Sequence, residues 1–491
     1  GDPTFFDQFQ GTFTTNVPGG NSINEIAFQA YLASASYNYK GKYYLSGNFR
    51  RDGNSALSSE NKWGNFGGGS VGWTISEEEF FKNSSLAKTV NSLRIRASYG
   101  RVGNANVPAY SEYTTYSPGL YGVTPFAWIF GQAGNKELKW ETSNQLDFGL
   151  NFALFNNRLT FEADYFKKDI NNLLLNVPQA LSKGIPNDPQ GTILANVGSM
   201  YNKGFEFALG GTPIKTDKFS WTANLNFTTI KNEVTALDPN VSQIIGTTGG
   251  LESASVTRVG ESIGSIYAVR TNGVNPANGR RIFINAAGRE VQYQHFGGAN
   301  AWTYLDGTQA PSPAGDAQVI GGTLPKWYGG FNNTFNYGNF DLNLMFTFSG
   351  GNYIYNGSRA GLLDQRVWNN STEVLNAWTT PGQQTNIPRI IYGDNVSNGS
   401  SFAIDANVEK GDFLRLQAAT FGYRIPKSVF GKSGINNVRV YASVNNAFLI
   451  TNYTGVDPEI STNGNSNLAS GVERNSIPQG RSFTFGISLG L

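Results

Sequence analysis

The last residues, Arg481-Ser482-Phe483-Thr484-Phe485-Gly486-Ile487-Ser488-Leu489-Gly490-Leu491, decide how the whole chain is read. Phe483, Phe485, Ile487, Leu489 and Leu491 alternate with Ser482, Thr484, Gly486, Ser488 and Gly490. Successive side chains of a strand point to opposite faces, so one face here is wholly apolar and the other carries hydroxyls and hydrogens. A sheet in water covers its apolar face with a second layer of branched aliphatics. Here the small polar groups suit the wall of a wide, wet lumen, and the apolar face suits lipid.

The same alternation recurs upstream. It predicts strands at 27–40, 43–51, 65–75, 93–100, 138–155, 159–168, 196–209, 219–234, 327–337, 340–348, 413–423, 438–449 and 481–491. Gly41-Lys42, Asn156-Asn157 and Gly338-Asn339 supply tight hairpin turns between consecutive strands. Ser76-Glu77-Glu78-Glu79 reads as a short helical turn, with Ser76 as N-cap and Glu79 closing a capping box. Short and long connections alternate. The expected fold is therefore an all-β, transmembrane, antiparallel up-and-down barrel with short periplasmic turns and long outer loops. Those loops are 102–137, 237–323, 350–411 and 452–481, and short strands of their own are expected near 263–273 and 281–284. Residues 1–23, polar and without period, read as an extracellular loop segment, and 24–491 as barrel. About thirteen strands is an odd number, whereas bacterial single-chain barrels have even counts, so the chain is not expected to close a barrel alone.

Composition bounds the function. Charged residues are only 15% against 13% aromatics, Gly reaches 59, and 37 basic residues nearly balance 35 acidic ones. A net charge of +2 argues against a nucleic-acid partner, which draws on a strong basic excess. The absence of cysteine removes disulfides and thiolate metal sites. No apolar run approaches the roughly 18 residues of a membrane helix, so membrane residence implies a barrel. An exported chain that begins Gly1-Asp2-Pro3 is expected to have been processed or to be a piece of something longer.

Several segments resemble the SusC/RagA family of TonB-linked outer-membrane transporters. They include Asn48-Phe49-Arg50-Arg51-Asp52-Gly53-Asn54-Ser55, Asn61-Lys62-Trp63-Gly64 and Gly72-Trp73-Thr74-Ile75-Ser76-Glu77-Glu78. Leu93-Arg94-Ile95-Arg96-Ala97-Ser98-Tyr99-Gly100 and Leu138-Lys139-Trp140-Glu141-Thr142 follow in the family's order. So do Asn196-Val197-Gly198-Ser199-Met200, Asn202-Lys203-Gly204-Phe205-Glu206, Pro325-Lys326-Trp327-Tyr328-Gly329-Gly330, Asn445-Asn446-Ala447-Phe448 and Asp457-Pro458-Glu459. The resemblance implies a barrel of about 22 strands around an N-terminal plug. It also implies import of oligosaccharides or peptides energised through TonB, with a SusD-like lipoprotein lid, in the outer membrane of a Bacteroidetes-type bacterium. Paired transporter–lid units and surrounding lipid or lipopolysaccharide belong to the same expectation. The plug, the TonB-contacting segment and the remaining N-terminal strands are absent from this chain, which matches the C-terminal barrel portion. The competing reading is a structural or interaction barrel that scaffolds a secretion or surface assembly.

No residue pattern supports an enzyme or a cofactor. Gly67-Gly68-Gly69-Ser70-Val71-Gly72 satisfies both G-x-G-x-x-G and G-x-S-x-G, but each motif needs a strand-to-helix turn, and this run lies inside a strand. His295 is the only histidine, and no pair of carboxylates is singled out by spacing. Arg94 and Arg96 fall on the polar face as lumen groups, and no charge is expected on the lipid face, where it would cost about 2–4 kcal/mol at mid-membrane. Tyr43, Tyr44, Tyr337 and Phe340 read as interfacial girdle residues. Trp128, Trp302, Tyr304, Trp368 and Trp378 lie in the outer loops and are the candidate substrate contacts, since flat apolar rings stack on sugar faces and accept peptide side chains.

Overall fold

A computed structural model of the chain describes residues 24–121, 124–185, 191–248, 253–431, 437–464 and 466–490. The expected loop segment 1–23 lies outside the described residues, as does Leu491. Thirteen strands form a single sheet in chain order. They are β1 (Phe28–Tyr39), β2 (Tyr43–Asn54), β3 (Trp63–Thr74), β4 (Val90–Asn104), β5 (Glu141–Leu154), β6 (Leu159–Asn171) and β7 (Ser199–Lys215), then β8 (Phe219–Ala236), β9 (Trp327–Tyr337), β10 (Phe340–Gly350), β11 (Phe413–Ile425), β12 (Asn437–Thr451) and β13 (Ser482–Gly490). All neighbours are antiparallel. Several strands outrun their alternating core because a partner supplies hydrogen bonds: Arg101 to Asn104 pair with Asn144 to Glu141 although their sequence has lost its period. β1 and β13 are the two margins of the sheet and do not pair with each other, so the barrel is open.

The two faces of this sheet meet different solvents. Phe483, Phe485, Ile487 and Leu489 are 67, 81, 68 and 64% exposed. Leu45, Val71, Tyr99, Phe148, Phe205 and Phe207 continue the exposed apolar belt. An apolar surface this continuous belongs in lipid. Rings on that face meet across strands, as Phe152 and Phe161 do at 4.9 Å and Phe340 and Tyr423 at 4.8 Å. The opposite face is knit by short polar contacts: Ser46 to Ser70 at 2.7 Å, Thr420 to Ser443 at 2.9 Å, and Asn343 to both Asn332 and Thr334 at 2.9 Å. No helix among the described residues is long and apolar enough to cross a membrane.

Three local expectations are corrected. The apolar face is not free of charge, because Lys167, Lys203 and Lys231 share the parity of Tyr165, Phe205 and Phe227. They lie near the long-loop ends of β6, β7 and β8, where a lipid-facing cation costs only about 0–1 kcal/mol. Tyr44 is not a girdle residue. It alternates with the exposed Tyr43, and its ring lies 4.3 Å beneath the Arg94 guanidinium on the polar face. Ser76 is no N-cap: it sits inside a 3-10 turn, Ile75–Glu77, and a one-turn helix (Glu79–Lys82) starts after Glu78. The Glu78 carboxylate instead accepts from the Tyr43 hydroxyl at 2.6 Å, Lys42 Nζ at 2.9 Å and Trp73 Nε1 at 3.2 Å.

Connections at one end are 40–42, 75–89, 155–158, 216–218, 338–339 and 426–436, and those at the other are 55–62, 105–140, 172–198, 237–326, 351–412 and 452–481. The tight turns need left-handed backbone, supplied by Lys40 and Gly41 (φ 54° and 69°) and by Gly338 (φ 57°). The long connections are folded. Within 237–326 lie two four-stranded sheets, one holding Ser265–Ala268 and Gln318–Gly321, the other Arg270–Val274, Arg281–Ile284, Glu290–Tyr293 and Trp302–Tyr304. Loop 351–412 docks at the junction between them, through Val269 N to Ala403 O at 2.9 Å and Asp405 N to Val269 O at 3.0 Å. Loop 452–481 adds Val472–Glu473 in parallel to Tyr353–Asn356. Ala254, Ile266, Tyr355 and Val472 form one fully buried core from all three loops, and Phe283, Val291 and Ile404 anchor a second.

Candidate functional site

The polar face of the wall and the packed loops above it form the site. On the wall, arginines reach across strands over glycines. Arg96 of β4, Gly149 of β5 and Asp164 of β6 lie abreast. Arg96 Nη2 donates to both Asp164 oxygens at 2.6 and 2.7 Å, and Nη1 donates to Asn151. A methyl group on Gly149 would collide with the Asp164 carboxylate and the Arg96 guanidinium, so the missing side chain is what lets the pair form. The same device recurs at the far side of the sheet. Arg439 of β12 reaches Asp341 of β10 with Nε–Oδ1 at 3.0 Å and Nη2–Oδ2 at 2.5 Å, across Gly422 of β11. The two parallel bonds of the Arg439–Asp341 pair fix orientation as well as energy, and each of these rungs spans three strands. Arg94 likewise lies over Gly72.

The glycine run is absorbed by this architecture. Gly67 to Gly72 pair with Phe49 to Tyr44 on one side and Arg101 to Arg96 on the other, so the run lies inside β3 and not at the strand-to-helix turn the catalytic motifs require. Gly67 has φ +154°, and a Cβ there would strike Asn48 O of the neighbouring strand. Ser70 is held by Ser46 in the wall, whereas His295 sits in the loops with its Nε2 packed over Gly393 and its ring against Phe296 at 4.7 Å. Among the described residues no cluster of three or more His, Asp or Glu could hold a metal ion.

Buried charge fastens the loops to one another and to the wall. Arg281 is 3% exposed, donates from Nε to Ser397 O at 2.9 Å, and so joins loop 237–326 to loop 351–412. Burial and the neighbouring Arg359 pull its pKa down to about 10, against the attraction of Asp405 and Asp394. Asp405 accepts from Thr271 N at 2.9 Å and Oγ1 at 2.5 Å, yet burial still raises its carboxyl above the ordinary range. Arg359 grips Glu373 through Nη2 at 2.8 Å and donates to Ala406 O at 2.8 Å. Arg415, at the outer end of β11, pairs with Asp457 at 2.6 Å and Glu459 at 2.8 Å. The Asp457-Pro458-Glu459 segment is thus a latch between loop and wall.

The five candidate aromatics separate into two groups. Trp302 packs on Tyr293 at 4.8 Å and Phe283 at 5.1 Å; Tyr304 lies under the Arg289 guanidinium at 3.6 Å; Trp378 Nε1 donates to Pro276 O at 2.9 Å while its ring covers Gly279. These three help hold the loops together. Trp128, in the hairpin Thr115–Tyr121/Thr124–Gln132, and Trp368 are 70 and 61% exposed. Exposed companions absent from the expected set are Phe296 and Tyr392, at 74 and 76%, which the His295–Gly393 contact brings from two different loops. No sequence period marks them, since that contact is made by packing alone.

Three comparisons bear on this architecture. A family model described as TonB dependent receptor-like, beta-barrel matches residues 2–447. TonB-dependent receptor P3 of Formosa agariphila is 32% identical over 478 residues, covering 95% of this chain and 46% of the relative. TonB-dependent receptor SusC of Bacteroides thetaiotaomicron is 27% identical over 485 residues, covering 94% and 43%. The solved RagAB peptide transporter superposes with a TM-score of 0.80 at 24% identity over 98% of this chain and 49% of that one, which establishes the shared fold. The chain therefore spans about half the length of the curated relatives it matches. Receptors and transporters, not enzymes, make up this family, and the exposed apolar belt agrees with residence in the outer membrane. The chain belongs to the TonB-dependent receptor-like β-barrel family and is of the SusC/RagA type.

Proposed function

We propose that the chain forms the C-terminal barrel part of a SusC-like, TonB-dependent importer of oligosaccharides or peptides, working with a SusD-like lid lipoprotein. The observation that carries the reading is a wall with a wet, glycine-lined polar face, topped by loops folded into one body. Gly149 and Gly422 let the Arg96–Asp164 and Arg439–Asp341 pairs lie flat against the wall, which leaves room for a plug or a hydrated cargo, and fixed loops offer a rim on which a lid could close. Polymers of sugar or amino acid suit such a mouth, because exposed rings such as Trp128 and Trp368 make sequence-tolerant apolar contacts. Binding energy would come from loops and lumen, with release driven by plug displacement from the inner membrane.

The test is co-purification of the native complex, followed by uptake. The importer reading expects a plug-bearing polypeptide and a lipoprotein in the complex, and uptake of labelled oligosaccharide or peptide that stops when TonB is deleted. A complex with extra subunits over the loops, no plug and no uptake would favour a structural scaffold instead.

A further inference from the structure

We propose that the lipid-facing side of β1–β8 is a binding site for a phosphorylated glycolipid of the outer leaflet, with the head group on a lysine row and the acyl chains in an apolar groove beneath it. The site depends only on residence in the outer membrane and not on any cargo. Lys167, Lys203 and Lys231 stand directly abreast on β6, β7 and β8, on the same face. Like charges directly opposite one another repel, so the row costs stability unless an anion lies across it. The next row toward the loops, Asp169, Tyr201 and Glu233, answers only part of that charge. Asp169 pairs with Lys167 at 3.0 Å and Glu233 with Lys231 at 2.8 Å. Among the described residues Lys203, at the centre, has no carboxylate within ion-pair distance and rests 5.0 Å from the Tyr201 ring centroid.

Directly beneath the lysines the face becomes a groove of about 1000 Å³. Its two rows follow the sheet register: Leu45, Val71, Ala97, Phe148, Tyr165 and Phe205, then Tyr43, Trp73, Ile95, Leu150, Ala163 and Phe207. Ala97 and Ala163 form the shallow floor between aromatic walls. Gly72, Arg96, Gly149 and Asp164 also line it, and because their side chains alternate to the lumen they contribute strand backbone. Phosphate above and hydrocarbon below is the order of chemistry in an outer-leaflet glycolipid, and it matches the order of residues along β6 and β7. A free phosphate would need only the lysines and a neutral lipid only the groove. Their contiguity assigns the whole molecule.

The experiment uses the full-length native protein, stripped of lipid in detergent and exposed to phosphatidylcholine vesicles with or without bisphosphorylated lipid A, with retained lipid read by native mass spectrometry. Lipid A is expected to be captured and phosphatidylcholine not. Lys203→Gln should weaken capture about fivefold, and Lys167→Gln/Lys203→Gln/Lys231→Gln about a hundredfold, given roughly a fivefold contribution per interfacial cation. Ala163→Phe, which fills the floor and leaves the lysines in place, should weaken capture as well. Heat-dependent gel mobility checks that each variant is folded. Equal capture of phosphatidylcholine, unchanged capture by folded Lys203→Gln and triple variants, or displacement of lipid A by inorganic phosphate alone would each overturn the proposal.

Discussion

The wall and the loops are built from one chain by opposite means. In the wall, β1 has no buried residue at all, and β13 exposes both its faces along most of its length. Its order comes from backbone ladders and from rungs such as Arg96–Asp164. In the loops, Tyr355, Phe283, Ile266 and Ile404 are fully enclosed, as in a protein folded in water. A layer between two solvents needs no interior, only the right group on each side. A mass projecting into one solvent must make an interior of its own. The difference predicts that damage to loop packing stays in the loops, while damage to the wall depends on which face is touched.

The largest expected effect would break this separation if it spread. Arg415→Ala leaves Asp457, 2% exposed, as a buried carboxylate without its partner. The cost should be about 3–5 kcal/mol. Limited proteolysis should cut within 452–481 while heat-modifiable mobility of the barrel persists; loss of the barrel would show the two regions to be one cooperative unit. A wall change comes next: Phe207→Arg puts a cation into the apolar belt, at about 2–4 kcal/mol, whereas Phe207→Leu should cost under about 1.5 kcal/mol. Urea titrations in lipid vesicles separate the two, and equal losses would mean that the face does not contact hydrocarbon. Gly149→Ala then probes the lumen face. The methyl group must displace Arg96 or Asp164, at about 1–3 kcal/mol, and an accompanying Asp164→Ala should recover part of that loss because the displaced partner is gone.

The smallest effect concerns the turn end of the wall. Hydrogen bonds from Tyr43 and Lys42 hold the Glu78 carboxyl at about pKa 2, below its ordinary 4.5. A carboxylate depressed in the folded state contributes stability that is complete above the unfolded pKa. That contribution should fade as pH falls from about 4.5 toward 2. Glu78→Gln should flatten this part of the stability profile and leave values near neutrality only slightly altered. A profile as steep as that of the unaltered protein would assign the acid sensitivity elsewhere.

The wall was legible because each strand, nine to eighteen residues long, holds a core that repeats a two-residue rule. The eight alternating positions Leu93–Gly100 within β4, for instance, announce both its faces. The loops were not, because strands such as Ser255–Thr257 and Trp302–Tyr304 are too short to show a period. The same limit explains Trp302, Tyr304 and Trp378: an aromatic in a long loop looks available until the neighbours that cover it are known. Lys167, Lys203 and Lys231 escaped notice for a different reason. Each lies a few residues inside a strand end, and only the register sets them side by side.

The bare margins of the sheet carry a consequence for biogenesis. Among the described residues, a line of amide and carbonyl groups along β1 and β13 has no partner strand. Each such group left in oil is costly by several kcal/mol, so neither border can slide into a bilayer unescorted. A border in a bilayer therefore has to be paired with another strand as the sheet enters, which couples strand pairing to insertion.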